Sequence, residues 1–454
     1  MSDVLQTRAV VLGGSLAGLF AARVLSEAYD EVLIVDRDEL IGVEGPRRGC
    51  PQSRHINGLL ARGQRAMEEL YPGITQEIFD DGVPTGDLCG DVRWYFNGLR
   101  IEQQAADLTC VSASRPKLEF HIRRRTAAIT NIKFQEQTDI LGLEFTPDNS
   151  KVIGARVQRV GESAEEVITA DLVVDATGRG SRTPIWLEDK GYPKVVEERK
   201  KVGLGYVTQH YKLNSDPYGH DLSINPVANP DLPRGAIFTK TDGGRVEMTV
   251  YGILGDHPPT DQEGLYQFVK TLATQDIAKA LEDAEPLDEP VAFRFPTTLR
   301  RHYEQMDRFP DGLLVVGDAV TCFNPVYAQG MTVAALSALT IRQHLHSGAA
   351  PKPRDYFADL SRDVIDPPWE MTNLVDLTFP GVEGERPRQV VMAQKFLKKV
   401  QLAATRDKKI AAQYMRAAGL VDRPESMQRL GFVLRVLWKS FGVKPPKLVN
   451  PVKN

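Results

Sequence analysis

The stretch RAVVLGGSLAGLFAARVLSEA, Arg8–Ala28, decides how this chain begins to fold. Arg8–Leu12 is a short apolar run ended by glycine, which reads as a buried strand. The residues from Leu16 onward repeat their apolar positions at helical spacing. Between them GGSLAG, Gly13–Gly18, stands where a dinucleotide fingerprint has G-x-G-x-x-G, with Ser15 in the place of the middle glycine. In that geometry the first glycine makes the turn and the next lets the backbone approach a pyrophosphate. The helix entrance supplies free N–H groups and the positive end of its dipole. Serine is small enough to keep the approach, and its hydroxyl donates to a phosphate. Gly13, Gly14, Ser15, Leu16, Ala17 and Gly18 are the first candidate cofactor contacts.

The second strand, EVLIVDRD, ends in Asp36 and Arg37, about twenty residues past the glycines, where an acid accepts from ribose hydroxyls. This pattern alone does not separate NAD, NADP and FAD. At 454 residues the chain exceeds one ordinary core, so two or three domains are expected. An apolar content of 42%, 26% charged residues and a net charge of −4 suit a soluble globular protein with no nucleic-acid footprint. Cys50, Cys89, Cys110 and Cys322 are far apart and no histidine stands at ligand spacing, so no metal site is expected. Free cysteines suit a reducing cytoplasm. No apolar run approaches the roughly 18 residues of a spanning helix, and the first strand leaves no room for a signal peptide.

Further along, INGLLARGQRAMEELY reads as a helix and GDVRWYFNGLRI as a hairpin turning at Asn97-Gly98. ASRPKLEFHIRRRTAA reads as a helix starting near Arg115, and DLVVDATGRGS closes a run of strands. From Gly203 to Gly252 strands dominate, with a second hairpin at Asp242-Gly243-Gly244. GLLVVGDAV then returns to the parallel-sheet pattern, and beyond Pro351 the chain reads as helical. Near its end RLGFVLRVLWKSF places Leu430, Val433, Leu437 and Phe441 on one side of a helix and Arg429, Arg435 and Lys439 elsewhere. That suits either a membrane surface or, more commonly, packing against the rest of the protein, so membrane contact is not expected.

In GDAVTCFNPVYAQGMT an acid at a strand end, Asp318, precedes Pro325 and a helix opened by Gly330, Met331 and Thr332. The acid accepts from a sugar alcohol, and the helix entrance favours negative charge developing on a nearby ring. A reduced flavin develops such charge, and NAD does not. With GGSLAG and Asp36, RRGCPQSRH, SRPKL and DATGRGS, this motif makes the chain resemble the group A flavoprotein monooxygenases, and among them most the flavin-dependent epoxidases of polyether biosynthesis.

The resemblance implies an α/β fold: a Rossmann-like FAD-binding domain of the glutathione reductase type, an inserted mixed β-sheet substrate domain and a C-terminal helical region. The FAD-binding domain would take residues 1–80, 101–190 and 295–350, the substrate domain 81–100 and 191–294, and the helical region 351–454. By position, Asp318 would bind the ribityl chain, Pro325, Gly330, Met331 and Thr332 would line the isoalloxazine, and Arg115 would reach the ribityl or pyrophosphate. Arg47, Gly49 and Cys50 would form the loop beside the ring.

The implied chemistry is a flavin C4a-hydroperoxide that hands one oxygen atom from O2 to a small hydrophobic substrate, by epoxidation or hydroxylation. NAD(P)H or a separate flavin reductase would supply the electrons. Trp94, Phe96, Tyr206, Phe238, Met248 and Phe295 are candidates for the substrate pocket, with core packing as the competing reading. Two departures stand out. Thr177-Gly178 occupies the place of the Asp-Gly that serves both FAD and NADPH, and only His55 is present where two histidines are common. No catalytic acid or base is evident, no W-x-W-x-I-P segment marks a halogenase, and a reductase or desaturase of prenyl chains is the alternative activity.

Overall fold

A computed structural model describes residues 6–345 and 350–448. The strand–turn–helix read at the N-terminus forms as Gln6–Leu12 followed by Leu16–Leu25. Its strand is the centre of a five-stranded parallel sheet. The order is Leu313–Val315, Leu172–Asp175, Gln6–Leu12, Tyr29–Val35 and Ile132–Gln135. Both faces are covered, so these strands are near-continuous apolar runs, as buried parallel strands are.

Register is what matters for function. Leu12 lies beside both Val35 and Asp175, and Asp175 beside Val315. Four strands therefore end together, and the segments that follow them, at Gly13, Asp36, Thr177 and Asp318, leave from one edge of the sheet. Ligands of open parallel sheets bind outside such carboxyl ends.

A second, nine-stranded mixed sheet contains the long strands Glu197–Lys212, Arg234–Lys240, Val246–Gly252 and Val291–Arg301, with Ser223–Pro226, Val92–Phe96 and Leu99–Arg100 beyond them. The hairpin at Asn97-Gly98 forms with positive φ at both positions, 52° and 75°, which suits a two-residue turn between twisted strands. Alternation gives this sheet two faces. Phe238 lies opposite Met248, and both pack with Leu265, Phe268 and Val269 of the helix Gln262–Lys270 and its neighbours. Tyr206 lies opposite Tyr251 on the other face, clustered with Phe295, Leu377 and Phe379.

The helix expected from Ile56 starts later, at Ala61. The Asn57 side chain donates to the carbonyls of Gln52 and His55, and Leu59 bridges to Val111, so local side-chain bonds hold this stretch out of helix. The C-terminal region is helical as expected, with Asp366–Asp376, Arg388–Ala404, Lys408–Ala418 and Leu430–Ser440 its longer members; residues 449–454 lie outside the described ones. No helix among the described residues is long and apolar enough to cross a membrane.

Candidate functional site

The glycine turn is built for close approach. Gly13 has φ +105°, and a Cβ there would lie 2.6 Å from the Ala176 carbonyl oxygen, so side chains are excluded by the neighbouring strand as well as by backbone conformation. The Gly14 N–H donates to Asp36 Oδ2 at 2.6 Å, and the Asp38 N–H donates to Asp36 Oδ1 at 2.8 Å. Burial pushes the Asp36 carboxyl up, while these donors and the Arg47 charge pull it back. Leu16 and Met331 turn their side chains into the core, leaving only their backbone for a ligand.

Ser15 occupies the N-cap position of its helix, but its hydroxyl does not bond the helix. It donates instead to Glu119 Oε2 at 3.0 Å and accepts from Arg115 Nη2 at 3.0 Å. Glu119 is a buried hub that sequence reading missed. Arg47 donates to Oε1, Arg123 reaches the same oxygen at 3.1 Å, and Arg115 Nε lies 3.3 Å from Oε2. Burial drives Glu119 toward its neutral form, but Arg115, Arg47 and Arg123 outweigh burial and hold its pKa below the ordinary value.

The signal was present in SRPKLEFHIRRR: Glu119 stands four residues from both Arg115 and Arg123, so the three share one helix face. The Arg47 loop is tied in as well. Arg47 Nη1 and the Gly49 N–H both donate to Asp38 Oδ2, at 2.9 and 2.7 Å, and buried Cys50 has its thiol pushed up by burial. Arg37 points elsewhere, half exposed and 3.7 Å from Asp139.

Gly317 backs onto Ala17, where a Cβ would approach that side chain to 2.8 Å, so the two glycine-bearing turns touch. Asp318 faces Gly330, the first residue of the helix Gly330–Leu345. Burial raises its pKa, and the Arg115 and Arg179 charges partly offset this. Gln329 Oε1, Thr332 Oγ1 and Arg179 Nη1 are buried and unbonded. Such buried polar atoms call for a partner. Together with the arginines and Ser15, they are the donors and acceptors that a pyrophosphate, a sugar alcohol and a polar ring edge would use.

The Pro325 turn is held from the C-terminal region. Asn324 Nδ2 and the Tyr327 hydroxyl donate to Asp376 Oδ1 at 2.9 and 2.8 Å, while Asp376 Oδ2 is buried without a partner. Burial pushes Asp376 up to about 6 against these donors, and it pushes Tyr327 up as well, helped by the Asp376 charge. Sequence reading did not bring Tyr327 and Asp376 together, because they are far apart along the chain.

Of the substrate candidates, Tyr206 and Phe295 share a cluster with Val326 of this turn. Trp94 and Phe96 lie further along, and Phe96 meets the Tyr414 ring edge-on at 5.2 Å. Phe238 and Met248 are fully buried behind the sheet, so for them core packing is the observed role. His55 donates or accepts at Thr208 Oγ1, 2.9 Å away, and packs against Tyr206 and Phe293; burial, with the Arg54 and His210 charges, lowers it to about 4, so it is neutral at pH 7. The DATGRGS motif closes on itself, since Asp175 accepts from the Thr177, Ser181 and Thr183 hydroxyls at 2.5–2.6 Å.

Two turns of one parallel sheet, each leading to a helix entrance, meet at the sheet edge outside which dinucleotides bind. The chain belongs to the FAD binding domain family, whose model matches residues 6–347. It is 31% identical over 431 residues to Protein Rv3254 of Mycobacterium tuberculosis, covering 91% of this chain and 90% of that one. It is 25% identical to a kynurenine 3-monooxygenase of Salinispora arenicola, over 78% of each chain. Among solved structures it is similar to p-nitrophenol 4-monooxygenase PnpA of Pseudomonas putida, with a TM-score of 0.63, 13% identity and coverage of 92% and 99%. The likeness to group A flavin monooxygenases thus holds at the level of family and fold.

Proposed function

We propose that the chain is an FAD-dependent monooxygenase that adds one oxygen atom from O2 to a hydrophobic alkene, with a polyene, terpenoid or polyketide as the substrate class. When bound and reduced, FAD supplies electrophilic oxygen from O2. The chain's own residues hold and orient. Ser15, Arg115 and the Leu16–Leu25 helix entrance would take the pyrophosphate, Asp36 the ribose, Asp318 the ribityl chain, and the Gly330 helix entrance the ring edge. The mixed sheet would form the substrate domain and the parallel sheet the FAD-binding domain, with the strand Val291–Arg301 running across the 294/295 boundary expected from the sequence.

The observation that carries this reading is the aromatic face of the mixed sheet, where Tyr206, Tyr251 and Phe295 cluster with Val326 of the Pro325 turn. It would exclude water and orient an apolar substrate without an obligatory acid or base.

A second reading, hydroxylation of an electron-rich ring, is favoured by the Tyr327–Asp376 pair. A phenol gives up its proton as it is attacked, and a carboxylate near 6 behind a tyrosine hydroxyl accepts that proton. Incubation of the reconstituted enzyme and a reductant with candidate alkenes and phenols under labelled O2 tests both. One labelled oxygen atom in the product is expected. A product changed by two hydrogens and without label would make the enzyme a reductase or desaturase.

A further inference from the structure

The C-terminal helix Leu430–Ser440 does not bury its apolar stripe. Val436 is its one fully buried residue, and the helix is fastened on that side by Arg435, which reaches Asp407 Oδ2 at 2.7 Å. Leu430, Leu434, Leu437, Trp438 and Phe441 recur at helical spacing and are 42–84% exposed. The Lys439 ammonium lies 4.6 Å from the Trp438 ring centroid. Beside them Arg406, Leu437, Trp438, Lys439 and Phe441 line an open cleft of about 540 Å³.

A second observation concerns charge. From Arg388 to Lys447 the chain carries fourteen lysines and arginines against three acids, although its net charge is −4. Such an asymmetry marks a partner of opposite sign. We propose that this face is a peripheral binding site for an anionic lipid surface. The apolar stripe of the helix enters the headgroup boundary, and the surrounding cations, Arg406 and Lys439 first among them, meet lipid phosphates.

The combination selects this occupant. A second copy docked by the same face would set Arg406 and Lys439 against their own counterparts. A nucleic acid would satisfy the cations but leave Leu430, Leu434 and Phe441 in water. A lipid boundary covers both features. The inference stands apart from the substrate reading, because it needs neither turnover nor an identified product.

The test is flotation of the FAD-loaded protein with vesicles of phosphatidylcholine alone and with equal phosphatidylglycerol, with the tryptophan emission that Trp438→Ala removes as a second readout. Binding to the phosphatidylglycerol vesicles, a blue shift, and weakening by salt are expected. Trp438→Ala and Phe441→Ala, both exposed and so neutral for folding, should each lower the partition coefficient by about tenfold while leaving FAD content unchanged. Absence of binding to anionic vesicles would overturn the proposal. So would a Trp438 shift that follows protein concentration without lipid, which would assign the face to a second copy, or retention by nucleic acid with none by vesicles.

Discussion

Tyr327 donates its hydroxyl to Asp376 Oδ1 at 2.8 Å, and with Asn324 it ties the Pro325 turn to the helix Asp366–Asp376. Burial raises the folded-state pKa of Asp376 to about 6, against an ordinary value of 3.8. Above about pH 6 the folded protein therefore bears a buried carboxylate at a cost the unfolded chain does not share. That cost fades as the pH falls toward 4. Asp376→Asn should raise Tm relative to the parent at about pH 8 and lose most of that gain only near pH 4. Equal effects at both values in thermal unfolding would remove the titration from Asp376.

The two halves of the cleft should respond differently to substitution. Gly13→Val places branched carbon against the Ala176 carbonyl at a positive φ, so it should lower Tm sharply before any question of cofactor arises. Asp318→Ala should leave the fold intact and weaken FAD binding by roughly 1.5–3 kcal/mol, about ten- to a hundredfold. Flavin absorbance after dialysis, read beside Tm, checks the pair.

Thr177 is where an effect on flavin reduction is expected. Its hydroxyl donates to Asp175 Oδ1 at 2.6 Å, so the position is absorbed in holding its own turn. NADPH alone should reduce the flavin slowly, and useful turnover should need substrate or a separate flavin reductase. Rapid anaerobic bleaching by NADPH in stopped flow would contradict this. Thr177→Asp sets a second carboxylate against Asp175 and should lower stability.

Glu119 balances three arginines, buried beside the Gly13 turn. Glu119→Ala should cost about 3–5 kcal/mol, the range for leaving buried charges uncompensated. Inorganic pyrophosphate should restore more of the denaturation midpoint in this variant than in the parent, because it returns negative charge to Arg47, Arg115 and Arg123. No difference between the two would detach these arginines from anion binding.

Local physics made much of this readable in advance. The Gly13 turn, the Asn97-Gly98 hairpin and the helix after Ser114 rest on short-range backbone conformation and periodicity, which adjacent residues determine by themselves. The order of the motifs carried the resemblance to flavoprotein monooxygenases, and the FAD binding domain family matches residues 6–347. What tertiary structure decided is which face of each element meets which neighbour. Alternation put Tyr206 and Phe238 on the sheet, but only the packing of Gln262–Lys270 buried Phe238 behind it and left Tyr206 toward the Pro325 turn. The same limit hid the Glu119 hub's link to Arg47, the meeting of Tyr327 with Asp376, and the outward turn of Trp438. Each depends on segments far apart in the chain, and an amphipathic pattern specifies a face without specifying what covers it.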